Sequence, residues 1–277
     1  MTRRTAALFP RMLLALALLP AALLPAPAGA GDEPFTGPNN FGVTGLFETP
    51  TARVMKENRY RLGAAQVHPY RYYFGTVGLF DRIEVNGRVT QVIGVPGFDN
   101  NTSYGNFKDK AVDAKFQFLK EGKYLPALAF LVSDPTGTRL YASQAIVASK
   151  QIYPFDFTVG YGNGRLGKKP LPPQMEGFKI ELFSNPAKWV REALPFGGVQ
   201  FAPTGWLSLM AEYSPIRYER QTQDPAQPKY FTSGVPSSRL NFGARLKPLS
   251  WLELGASWQR GNEIGVTASV AFDIGRP

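Results

Sequence analysis

The chain has 277 residues, 44% of them hydrophobic, with 31 basic and 21 acidic side chains, one histidine and no cysteine. That composition excludes disulfides, a thiol nucleophile, thiolate metal ligands and multi-histidine metal centres. Any stability must come from backbone hydrogen bonds and packing.

Arg3, Arg4 and Arg11 precede an apolar stretch from Met12 to Leu24, and Ala28-Gly-Ala30 follows. A basic start, a short apolar run and small residues at alternate positions predict a cleaved export signal over residues 1–30. The run is too short for a stable spanning helix, and no later segment approaches the roughly 20 apolar residues such a helix needs. Without the signal's three arginines the chain carries 28 basic and 21 acidic residues, or +7. That excess suits either a polyanionic partner, such as lipopolysaccharide phosphates or an acidic polysaccharide, or solvated loops and lumenal charges. Nucleic acid is not expected as a partner of an exported chain without a recognised motif.

Residues 31–57 precede the first predicted strand. They either hang in the periplasm or fold into a lumen as a plug. Phe41, Leu46 and Phe47 are too apolar to stay in water, so packing against or inside a barrel is expected.

From residue 58 onward, period-two alternation dominates. Ile83, Val85 and Val89 alternate with Glu84, Asn86, Arg88 and Thr90. Val112, Ala114, Phe116 and Phe118 alternate with Asp113, Lys115 and Gln117. The same pattern recurs around Phe155–Tyr161 and Leu207–Tyr213, and is cleanest in the last three segments. Tight connections alternate with long ones, the longest being 164–195 and 214–237. Turns on one side and loops on the other are what outer-membrane barrels show. Twelve strands are predicted: 58–67, 72–78, 83–92, 109–118, 124–132, 141–151, 155–163, 196–202, 206–213, 238–246, 251–259 and 264–272. The fold class is therefore all-β, a single antiparallel transmembrane barrel of residues 58–277. A strand-like piece at Phe178–Phe183 is assigned to a loop, with a short helix at Pro186–Glu192; placed in the wall, it raises the count to fourteen. Tyr60, Tyr70, Tyr72, Tyr73, Tyr124, Tyr153, Trp206, Tyr213, Trp251 and Trp258 lie near strand ends, where aromatic girdles belong.

Three stretches resemble the YjbH-like family of outer-membrane proteins, encoded with exopolysaccharide and capsule genes. They are Phe41-Gly-Val-Thr-Gly-Leu-Phe-Glu-Thr-Pro-Thr-Ala-Arg53, Phe196-Gly-Gly-Val-Gln-Phe201 with Leu207–Tyr213, and Leu240-Asn-Phe-Gly-Ala-Arg-Leu-Lys-Pro248 running on to Asn262. The resemblance implies a barrel that assists export or assembly of an extracellular polysaccharide, and it brings no catalytic residues. Well-known members are much longer than this chain.

The inward parity collects Glu84, Arg88, Asp113, Lys115, Glu212, Arg245 and Glu253. They form either lumenal salt bridges or a charged constriction, and the interspersed signs favour salt bridges. Glu181 falls in a loop. Arg165, Lys168 and Lys169 are placed on the outer loop face, where lipopolysaccharide phosphates lie. Gly160, Gly162 and Gly164 read as strand-to-loop geometry rather than a phosphate cradle, since no helix follows closely. His68 is the one imidazole available to a serine hydrolase, but it sits in a turn. No cofactor is expected. The expected role is a non-enzymatic outer-membrane barrel serving exopolysaccharide export or envelope assembly, in contact with outer-membrane lipid and lipopolysaccharide and with the polysaccharide or its export machinery. The alternatives are a small-solute channel and a lipid-modifying enzyme.

Overall fold

A computed structural model describes residues 36–97, 105–173, 180–233 and 236–275. The expected export signal at 1–30 lies outside them. Twelve strands form one closed antiparallel barrel in which each strand pairs with its sequence neighbours. They are β1 (Arg59–Val67), β2 (Tyr70–Leu79), β3 (Ile83–Pro96), β4 (Asn106–Leu119), β5 (Ala127–Ser133), β6 (Ser143–Ile152), β7 (Phe155–Gly167), β8 (Ala193–Phe201), β9 (Leu207–Tyr213), β10 (Leu240–Leu249), β11 (Leu252–Gln259) and β12 (Glu263–Asp273). Closure comes from β1 against β12, with Tyr60 opposite Phe272 and Leu62 opposite Val270. Closing the sheet leaves no unpaired edge.

The two faces are inverted relative to a water-soluble sandwich. Along β4, Val112 (56% exposed) and Phe116 (46%) point out, while Asp113 and Lys115 (1% each) point in. Phe157, Val159, Phe242 and Val266 are also exposed. An apolar outside with a polar inside is the pattern of a barrel solvated by lipid. Among the described residues, no helix is long and apolar enough to cross a membrane.

The loop between β7 and β8 holds two short helices, α1 (Glu181–Ser184) and α2 (Pro186–Glu192). Asn185 caps α2 by accepting from the Lys188 amide, and Pro186 occupies its first turn. The strand-like piece ending at Phe183 therefore stays out of the wall; its residues 178 and 179 lie outside the described ones. The loop between β9 and β10 carries a 3-10 turn (Tyr218–Arg220) and α3 (Gln227–Tyr230).

Two sequence expectations are corrected. Strand β7 continues to Gly167, so Arg165 belongs to the wall and is buried. Gly164 adopts a φ of +63°, which lets the strand bend without ending. Tyr70 and Tyr72 are fully buried inside the barrel instead of sitting in an outer girdle. Tyr73, Tyr124, Tyr153, Tyr213 and Trp251 are exposed.

Residues 36–55 occupy the lumen, and the exposed Lys56 and Glu57 lead out of it to β1. Backbone bridges Pro38–Thr44 and Gly45–Pro50 fold them into a compact double turn. Gly42 turns the chain with a φ of +98°, and a Cβ there would strike Phe74. The segment starts beside Arg61 and Arg245, reaches Tyr218 through Glu48, and returns past Glu121 to the start of β1. Both of its ends thus lie at the short-turn end of the barrel.

Candidate functional site

A plug folded into a barrel must find partners for backbone groups that have no ladder of their own. The inner wall supplies them through its charged residues. One carboxylate, Glu212 of β9, accepts from three consecutive plug amides, Phe47 (2.9 Å), Glu48 (3.0 Å) and Thr49 (3.0 Å), and from the Thr49 hydroxyl (2.9 Å). Glu84 of β3 accepts from the Thr44 amide (2.7 Å), the Thr44 hydroxyl (2.5 Å) and the Met55 amide (2.9 Å). Lys115 of β4 pairs with Glu84 at 3.3 Å and donates to the Thr44 carbonyl at 2.7 Å. Arg245 of β10 donates to the carbonyls of Gly45 (2.9 Å), Pro38 and Leu46. Arg61 donates to those of Gly42 (3.3 Å) and Thr36. The wall charges thus hold the plug in one register.

At the short-turn end, Arg53 makes a two-pronged bond to Asp156 (3.1 and 2.7 Å) and an ion pair with Glu121. The planar guanidinium matches a carboxylate at two points, which fixes geometry better than an ammonium would. Gln117 donates to the Ala52 carbonyl (2.8 Å) and Ser149 accepts from the Ala52 amide (2.9 Å). The Thr-Pro-Thr-Ala-Arg stretch is therefore the plug's latch.

At the long-loop end, the β9–β10 loop folds over the plug as a lid. Its Tyr218 hydroxyl donates to Glu48. Its Asp224 accepts from Tyr70 (2.5 Å), Tyr141 (3.4 Å) and Arg165 (3.3 Å). The Arg165 guanidinium lies 4.8–5.3 Å from the ring centres of Phe41, Tyr70, Tyr141 and Tyr218. One cation thus ties plug, wall and lid together through ring faces.

Burial raises the Tyr218 hydroxyl well above its ordinary value, and Glu48 adds to the effect. Burial also lifts the Asp134 carboxyl, in the β5–β6 loop, to about 6. Arg88 and the Tyr141 amide oppose that rise, and Asp109 and Asp113 reinforce it.

Arg165→Met should leave Asp224 buried without its cation. Removing one partner of a buried pair costs about 3–5 kcal/mol. The barrel ladder does not involve the lid, so the loss should fall on residues 214–231. Hydrogen exchange should show their amides losing protection while β1–β6 amides keep it. Unchanged lid protection would overturn this role for Arg165.

Each predicted site residue now has a place. Glu84, Arg88, Asp113, Lys115, Glu212 and Arg245 are buried inside the barrel. Glu253 is half-buried and lies 3.7 Å from Arg245. Wall pairing exists, as between Arg88 and Asp113 at 3.1 Å. Glu212, Glu84, Lys115 and Arg245 instead spend bonds on the plug backbone. Glu181 accepts from Arg139 at 2.8 Å. Lys168 and Lys169 are exposed, whereas Arg165, placed with them from sequence, is enclosed by rings whose partners lie far away along the chain. His68 is exposed, with its ring edge-on to Tyr230 at 4.9 Å. Arg53, Arg61, Asp156, Tyr218 and Asp224 were not foreseen. Arg53 closes the Phe41–Arg53 stretch that the sequence already singles out, and that is the signal that could have found the first of them.

The YjbH family model, exopolysaccharide biosynthesis protein YbjH, matches residues 38–277, which include all but the first two residues of the plug and the whole barrel. The uncharacterized lipoprotein YjbH of Escherichia coli (strain K12) is 32% identical over 281 residues. That alignment takes in 91% of this chain and 37% of the relative, so the chain spans little more than a third of the relative's length. A solved structure of the NanC porin covers 78% of this chain and 99% of its own at 10% identity and a TM-score of 0.39. With the family match running from the plug's Pro38 through the last strand, the chain belongs to the YjbH exopolysaccharide biosynthesis family.

Proposed function

We propose that this protein is a plugged outer-membrane barrel that assists exopolysaccharide export or envelope assembly, without catalysing a reaction and without acting as an open conduit. The observation that carries this reading is the lumen, filled by residues 36–55 and bonded to the wall by buried charges from most sides. A solute channel needs a continuous polar path, and here Glu84, Lys115, Glu212 and Arg245 of the wall are engaged by the plug. The exposed apolar rows of β4, β7 and β10 favour acyl chains as the surrounding solvent. The long loops then face the cell surface and the short turns the periplasm, which brings the lid to the outside. Exposed Lys168 and Lys169 lie on that side and suit lipopolysaccharide phosphates.

Two measurements test the reading. The processed chain should fractionate with outer membranes and require detergent for extraction; a freely soluble periplasmic monomer would end the membrane assignment. Deleting the gene should lower surface polysaccharide, and complementation by the intact chain should restore it. Unchanged secretion after deletion would end the polysaccharide role.

A further inference from the structure

Small clefts of about 20 and 10 Å³ lie around the plug, and a cavity of about 200 Å³ opens beside the lid at the long-loop end. Three elements build it: the β1–β2 turn through His68, the end of α3 through Tyr230 and Phe231, and the β11–β12 turn through Arg260, Asn262 and Glu263. Each element is fixed. The Tyr230 hydroxyl donates to the Ile93 carbonyl (2.9 Å), leaving its ring at the cavity. Arg260 donates to the His68 carbonyl (2.7 Å) and stacks on Tyr218 at 4.9 Å, while its buried Nε has no partner among the described residues. Neither Asn262 nor Glu263 has a side-chain hydrogen bond or ion pair among the described residues.

The chemistry is specific in kind. The Tyr230 ring, with the His68 ring edge-on at 4.9 Å and the Lys229 ammonium 5.3 Å from its centre, keeps part of its apolar surface beside an amide, a carboxylate and a guanidinium, so donors and acceptors surround it. A lipid tail would leave these groups unpaired. A phosphate or a uronate would meet the unpaired Glu263 carboxylate, while the nearby cations Arg260 and Lys229 already donate to the carbonyls of His68 and Gly94. A neutral pyranose satisfies the set: its C–H groups pack on the part of Tyr230 that His68 and Lys229 leave open, its hydroxyls donate to Glu263, and they accept from Asn262.

The geometry points to a subsite for a neutral hexopyranose unit of a polysaccharide at the outer mouth, formed by Tyr230, Asn262 and Glu263 and backed by His68 and Arg260. This inference rests on the polysaccharide reading above, and places the contact on the surface of the lid rather than along the lumen.

The test uses the full chain in detergent micelles, with neutral gluco-, galacto- and manno-tetrasaccharides and a tetra-uronate as probes in saturation-transfer NMR. At least one neutral probe should bind, and the Asn262→Ala and Glu263→Gln variants should each weaken it roughly tenfold, the ratio expected for a lost hydrogen bond to a polar or charged group. Both residues are at the surface, and heat-modifiable gel mobility checks that each variant is folded. Binding unaffected by either variant would overturn the subsite, as would binding of the uronate alone or of no probe. None of these failures touches the deletion experiment, which reads the polysaccharide role independently.

Discussion

A chain lacking residues 36–57 should conduct ions across a planar bilayer, where the intact chain should not. The wall does not depend on the plug for its hydrogen bonds, because all twelve strand pairings run between neighbouring strands. Lys115 and Glu84 remain paired, as do Arg88 and Asp113. Glu212 and Arg245 lose their plug partners, but water enters with the loss, so the penalty of leaving buried groups unmatched is largely relieved. The lid loses the bond from Tyr218 to Glu48 and the contact of Arg165 with Phe41, yet keeps Asp224 on Tyr70 and Arg165. Conductance should therefore flicker. Adding Asp224→Ala to the same deletion should make it steady, at least about tenfold above the leak of the intact chain, as expected once a lined lumen replaces a filled one. A correctly folded double variant that stays silent would show that something other than plug and lid closes the barrel.

Much of the wall was legible because its determinants are local. The alternation of Val112, Ala114 and Phe116 with Asp113 and Lys115 sets both the strand and its faces, and a one-residue slip would turn every charge outward. Loop lengths gave strand order for the same reason, since an up-and-down barrel joins neighbours only. The site was legible in part. Parity placed Glu84, Lys115, Glu212 and Arg245 on one face, but not which groups they would bind, because Glu212 lies more than 160 residues from Phe47 and Thr49. Arg165 shows the limit more sharply. Flanked by Gly164 and Gly167 and followed by Lys168 and Lys169, it reads as a solvated loop residue. What buries it is Asp224 on a distant loop and rings from β2, the plug and the lid. Tyr70 and Tyr72 were misplaced for the same reason: a tyrosine near a strand end suits a lipid interface, and only the folded lid makes the inner side drier.

Glu212→Leu should release the plug without unfolding the barrel. Its carboxylate gathers the amides of Phe47, Glu48 and Thr49, an arrangement in which successive N–H groups converge on one anion. Leucine fills similar space and accepts nothing. Each buried donor left without a partner costs about 1–3 kcal/mol, so three together amount to several kcal/mol, comparable to the stability of a marginal element. The Asn241 amide also loses its acceptor at 2.8 Å, although it keeps Glu48 at 3.2 Å. The strand pairs of β9 with β8 and β10 involve backbone alone and should survive. Trypsin provides the readout, because Arg53 is buried between Asp156 and Glu121 and its peptide bond is shielded while the latch is seated. In Glu212→Leu, mass spectrometry should find cleavage after Arg53 in protein that still migrates as a folded barrel. Asp273→Asn, which removes the ion-pair partner of the partly exposed Arg59 at 3.4 Å and leaves its bond to the Ser250 carbonyl, should leave the Arg53–Val54 bond uncut, since solvent-accessible ion pairs contribute about 0–1 kcal/mol. An intact Arg53–Val54 bond in folded Glu212→Leu would mean that the remaining contacts of Glu84, Arg245 and Arg53 hold the plug by themselves, and that the wall carboxylate on β9 is not its principal anchor.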